Sequence, residues 1–156
     1  MYKVDAESLE AYLAYDPVRR AELDAFDRAM ATAAPRLERY FHPGTPPGEP
    51  GMRFKMIGYG RFHYAARGKI VEWPVVGLAL QKNYISAYFT PRVDGRPVTE
   101  RYAAQLGASR MGENNFSFIS VAQLDAGALT ELLTETSRLF FEVPNSMAAF
   151  ELVVEQ

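Results

Sequence analysis

The chain has 156 residues, 48% of them apolar, with 17 Lys+Arg against 19 Asp+Glu for a net charge of −2. That length suits one domain around one sizeable core, and the near-neutral balance supplies no field to hold nucleic acid or an anionic membrane. The absence of cysteine excludes disulfides, thiolate zinc sites, iron–sulfur ligation and a cysteine nucleophile. No apolar run is long enough to span a bilayer and the opening residues lack the basic-then-apolar pattern of a signal peptide. A single soluble, cytoplasmic domain over 1–156 is the expectation. In chain order, Leu9, Tyr12 and Leu13 fall at helical spacing over residues 6–15, with Asp5 as N-cap. Asp16-Pro17 then restarts the chain as cap and first helical position, and Leu23, Phe26 and Met30 form the stripe of a second helix ending before Pro35. The spacing of Leu37, Tyr40 and Phe41 predicts one more helical turn.

Residues 42–51 hold four prolines and three glycines, which no regular hydrogen-bond ladder tolerates, so they read as an exposed loop. It is not a domain boundary, because the residues before it are too few to bury a core alone. Short β-like runs follow at 52–58, 61–65, 75–81 and 84–89, predicting a β-meander whose last hairpin turns at Lys82-Asn83. Trp73-Pro74 reads as an aromatic plug at the start of a buried strand. Residues 98–106 fit a helix closed by Gly107, 114–120 a further strand, and Asp125 the start of a long last helix with Leu129, Leu132, Leu133 and Phe140 inward. The whole predicts an α+β fold of two layers: an antiparallel sheet packed against the N-terminal helices and the long C-terminal helix.

Strand alternation then assigns faces, since side chains two apart point the same way. Arg53, Lys55, Ile57 and Tyr59 share one face of the first strand, opposite Met52, Phe54 and Met56; Tyr84, Ser86 and Tyr88 oppose Ile85, Ala87 and Phe89; Ser117 opposes Phe116 and Phe118. If the apolar sets lie under the helices, Arg53, Lys55, Tyr59, Tyr84, Ser86, Tyr88 and Ser117, with Lys82 at the hairpin tip, make a polar, tyrosine-rich face. Such a face is either simply solvated, the contact surface of a homodimer, or a site for a small anion or aromatic molecule.

The runs Ile57-Gly58-Tyr59-Gly60, Phe62-His63-Tyr64, Trp73-Pro74-Val75-Val76-Gly77-Leu78-Ala79, Gln81-Lys82-Asn83-Tyr84-Ile85-Ser86 and Tyr88, followed by Leu106-Gly107, Gly112 and Leu124-Asp125, resemble the YdhG-like domain of unknown function. The resemblance implies an α+β fold of frataxin-like size, and one branch of that family is described as an intracellular iron chaperone. Relatives often carry a Lys and an Arg after the position of Gly112, where this chain has Glu113, Asn114, Asn115 and Ser117.

No catalytic motif is legible. There is no G-x-S-x-G elbow, S-x-x-K box or glycine-rich phosphate loop, and His42 and His63 read as an exposed loop histidine and a sheet-surface histidine rather than metal ligands. The N-terminal acids Asp5, Glu7, Glu10, Asp16, Glu22, Asp24 and Asp27 could present hard oxygen ligands, but they are interleaved with arginines, Arg20 and Arg28 standing at i, i+4 to Asp24, which describes a solvated helix face more than a cation ridge. Three functional classes remain open: a non-enzymatic binding or chaperone-like domain without a cofactor, acting on a small molecule or a protein; a metal carrier of the iron-chaperone type; and an enzyme using the Tyr/Lys/Arg face.

Overall fold

The computed structural model describes residues 2–51 and 53–153. It is an α+β fold in two layers. Helix α1 (Leu9–Ala14) is capped by the Ser8 hydroxyl, which accepts from the Ala11 N–H at 3.1 Å, rather than by Asp5. Asp16 and Pro17 are not the cap and first position of α2 (Arg20–Ala33), whose N-cap is Arg19 without a side-chain cap; Asp16 instead accepts from the Val18 and Arg19 amides in the turn before it, and α2 stops short of Pro35 as expected. The predicted helical turn at 37–41 is instead strand β1 (Arg39–His42). Leu37, Tyr40 and Phe41 match helical spacing by coincidence: Tyr40 and His42 face away from Phe41 with the two-residue period of a strand, and β1 pairs antiparallel with the start of β2.

Strand β2 runs as one element from Met56 to Ala66 and β3 from Lys69 to Leu80, joined by Arg67-Gly68, both at positive φ (50° and 73°), the geometry of a tight two-residue hairpin. Strands β4 (Ile85–Phe89), β5 (Arg92–Val93), β6 (Arg96–Pro97), β7 (Arg110–Met111) and β8 (Asn115–Phe118) follow, and the main sheet has the antiparallel order β1-β2-β3-β4-β8-β7. The hairpin at Lys82-Asn83 forms, closed by Gln81 N–H to the Tyr84 carbonyl at 2.9 Å, and Asn83 turns it without a left-handed backbone. Residues 98–102 make only a short 3-10 turn, which ends well before Gly107, where a nine-residue helix was expected. Helix α3 (Ala126–Glu142) starts as predicted, with Asp125 accepting from Ala128 N–H at 2.8 Å. Pro74 lies inside β3 rather than at its start; that half of β3 extends past the end of β4, so its missing N–H breaks no rung of the ladder between them.

Helices α2 and α3 cover one face of the sheet. Leu23, Phe26 and Met30 from α2 and Leu129, Leu132, Leu133 and Leu139 from α3 close over Ile57, Leu78, Leu80, Ile85, Ala87, Phe89, Phe116 and Phe118. The Phe26 ring stacks on Phe118 at 6.0 Å. At Gly60, with φ 69°, the alternation along β2 breaks: Phe62 joins the helix side against Phe140, while Arg61 reaches over the Tyr40 ring. Beyond that break, residues 151–153 lie along the free edge of β2, with Ala65 N–H on the Glu151 carbonyl and Val153 N–H on the His63 carbonyl. Among the described residues no helix is long and apolar enough to cross a membrane.

Candidate functional site

The alternation argument holds for β4 and β8 and fails for the segment before β2. Ile85, Ala87 and Phe89 are in the core, and Ser86 and Ser117 face each other on the opposite side with their hydroxyls 3.3 Å apart. That side is not open, however: Ser86 and Ser117 are 5% and 7% exposed. Tyr88 is half-buried there with its ring 5.6 Å from Phe54, and burial raises its phenol pKa while the Ser86 hydrogen bond works against the rise. Tyr84, at 37% exposure, and Lys82 stand at the hairpin tip, where the Tyr84 carbonyl accepts from Arg19 at 2.8 Å.

Because β2 begins at Met56, Arg53 and Lys55 belong to no strand, and their expected companions Ile57 and Tyr59 lie on the helix side. Tyr59 is therefore not a surface ligand residue. It is 1% exposed, donates to Asp27 Oδ1 at 3.0 Å, and has its pKa raised by burial first and by the Asp27 charge second. Asp27 in turn faces Arg39 at 3.4 Å. Phe54 and Met56, expected under the helices, are on the other side, while Met52 is outside the described residues.

What Arg53 and Lys55 do share is a cavity of about 540 Å³. One wall is the N-terminal segment of Tyr2, Lys3, Val4 and Asp5; another is Thr45 and Pro47 of the Pro/Gly loop; the third is Arg53, Phe54 and Lys55; Leu80 and Gln81 lie at the end of β3. Tyr12 ties this base together. Fully buried, it accepts from Leu80 N–H at 2.8 Å and donates to the Lys55 carbonyl at 3.4 Å, and desolvation pushes its phenol up to about 12. Lys55 Nζ is held by the Ala6 carbonyl at 2.7 Å and Glu7 at 2.6 Å, while Arg19 over the Tyr2 ring and Tyr15 on the Lys3 carbonyl hold the first wall in place. The sequence signal for this cavity was the single aromatic between two cations, Arg53-Phe54-Lys55, directly after a Pro/Gly loop; assigning that stretch to a strand hid it.

His42 is not an exposed loop residue. It ends β1 at 2% exposure, with its ring 5.1 Å from Trp73 and 6.3 Å from Tyr40, and neither ring nitrogen has a hydrogen-bond partner among the described residues. Burial pushes its pKa below the ordinary value, and the Glu72 charge opposes this. Trp73 is half-buried rather than a sealed plug. His63 Nε2 lies 3.3 Å from Glu72.

Of the N-terminal carboxylates, Glu7, Asp16, Glu22, Asp24 and Asp27 have protein partners. Glu22 accepts from the Ser120 hydroxyl and the Val121 N–H at 3.0 and 3.2 Å, Asp16 holds Arg19 at 2.8 Å, and Asp24 faces Arg20 at 3.6 Å. Among the described residues no group of three or more His, Asp or Glu side chains converges as a metal site would need. No protein-family profile, no curated protein and no solved structure matches the chain, so the YdhG-like resemblance rests on the residues quoted for it.

Proposed function

We propose that this chain is a non-enzymatic binding domain that holds a small molecule between its N-terminal segment and the residues leading into β2. The observation that carries the reading is the cavity of about 540 Å³ with Tyr2, Val4, Pro47, Phe54 and Leu80 on its walls. Small-molecule sites are concave, mainly apolar and about 300–1,000 Å³, with a few polar groups placed for orientation. The two cationic residues singled out from sequence, Arg53 and Lys55, line it, whereas Ser86 and Ser117 are too enclosed to serve as a dimer surface. Lys55 is held by Glu7 and a carbonyl rather than poised beside a nucleophile, which favours binding over catalysis. The metal-carrier alternative has Glu7, Asp16, Glu22, Asp24 and Asp27 engaged by Lys55, Arg19, Ser120, Arg20 and Tyr59, which speaks against it. A backbone-amide chemical-shift survey against small aromatic and aliphatic compounds is the test. Binding compounds should move the resonances of residues 3–5, 53–55 and 80–81; a survey with no binders, or with binders mapping only elsewhere, overturns the reading.

A further inference from the structure

We infer that the molecule this cavity takes is an amphipathic monoanion, with an apolar body seated against Leu80 and Phe54 and one acidic headgroup held at the mouth by Arg53. The inference rests on the binding reading above and deepens it. Its first support is that polar groups at the base of the cavity are already used: Leu80 N–H is bonded to Tyr12, the Lys55 carbonyl accepts from Tyr12, and Gln81 N–H is bonded to the Tyr84 carbonyl. A polar group set against these backbone atoms would lose its hydration without compensation, and the Gln81 side-chain amide is a polar group still open at the end of β3. The part of the ligand seated against Leu80 and Phe54 is therefore apolar.

The second support is the charge around the mouth. Lys55 is cancelled by Glu7 at 2.6 Å, and by charge count Asp5 offsets Lys3. Arg53 is exposed and has no hydrogen bond or ion pair among the described residues, which leaves one uncancelled cation on the cavity's rim. A guanidinium offers a planar fork that meets a carboxylate or sulfonate with two parallel N–H donors. One such group balances the rim; a di- or triphosphate would find Asp5 and Glu7 rather than further cations.

Two fluorescent probes with the same aromatic body separate the possibilities: anilinonaphthalene sulfonate, which is anionic, and phenylnaphthylamine, which is neutral. The wild-type chain should bind the anionic probe about ten-fold more tightly, the effect of one charge-assisted contact. Arg53→Gln, an exposed change that should leave the melting temperature in place, should abolish that preference without weakening the neutral probe. If neither probe binds, the cavity reading falls and takes this inference with it. If both bind equally to wild type, the cavity stands and the anion assignment is wrong. A preference for the anion that survives Arg53→Gln also overturns it, since Arg53 would not be the anchor.

Discussion

On the helix-covered face of the sheet, Ile57, Leu78, Ala87 and Phe116 lie in one cross-strand row and Leu80, Ile85 and Phe118 in the next, all closed over by α2 and α3. On the other face the corresponding rows read Tyr40, Gly58, Gly77, Tyr88, Asn115 and Ala79, Ser86, Ser117. The first face is filled by large apolar side chains from regular helices. The second has small residues at Gly58, Gly77, Ala79, Ser86 and Ser117, and larger side chains of the strands lie on the glycines: the Tyr40 ring on Gly58, and Met56 Sδ over Gly77, where a Cβ would be 2.8 Å from it. Stability is concentrated on the first face, and the cavity opens among the irregular segments bordering the second, where loops rather than helices set the walls.

That contrast can be broken from either side. The largest effect is expected from Phe26→Ala, which removes a fully buried ring from between Tyr59 and Phe118; it should lower the unfolding free energy by about 3–5 kcal/mol in a urea titration. Gly58→Ala should lower it by about 1–3 kcal/mol, because the new methyl group meets the Tyr40 ring and that ring must shift. Ser117→Ala alone leaves the Ser86 hydroxyl without that partner and Ser86→Ala leaves both Ser117 and Tyr88 without theirs; each should lose about 1 kcal/mol, and the Ser86→Ala/Ser117→Ala pair should lose less than the sum of the two. A double-mutant cycle giving no coupling would mean the two hydroxyls do not depend on each other.

A smaller effect belongs to His42 and appears only with acid. The unfolded chain protonates this residue near its ordinary 6.5, while burial in the folded chain pushes that value down. The unfolded state therefore holds more protons as the pH falls through about 6.5, so the stability contributed by the neutral imidazole is full above that value and is lost below it. Burial is the larger influence, and the Glu72 charge works against it by favouring the charged form. Comparing melting temperatures of wild type and His42→Phe between pH 5 and pH 8 should show a slope in the wild type that the variant lacks; parallel curves would remove His42 as the source.

The helix-covered face was legible because its signals are local. Residues 85–89 and 115–118 alternate without interruption, and the α2 and α3 stripes and the Asp125 cap are spelled out within single segments. The segment before β2 was not legible, since one residue of slip moves every side chain to the other face, and nothing local says that the strand begins at Met56 rather than four residues earlier. Arg53 and Lys55 were singled out for a shared strand face and turned out to share a cavity whose other walls come from residues 2–5 and 80–81. His42 was misplaced for a related reason: its neighbours Pro43 and Gly44 mark a loop, but its own position is fixed by pairing with Met56 across the sheet.

The contact of residues 151–153 with the edge of β2 gives the order of events during synthesis a structural meaning. The N–H of Ala65 and the carbonyl of His63 find their partners in residues about ninety positions further along the chain. The β2–β3 hairpin can close as soon as it leaves the ribosome, and β1 covers the start of its outer edge, but the part of that edge around His63–Ala65 stays unpaired until almost all of the chain described here has followed. For that interval the hairpin presents an open strand edge, the kind of surface on which nascent chains pair with one another, and the antiparallel bridge from Leu152 to Tyr64 is what ends it.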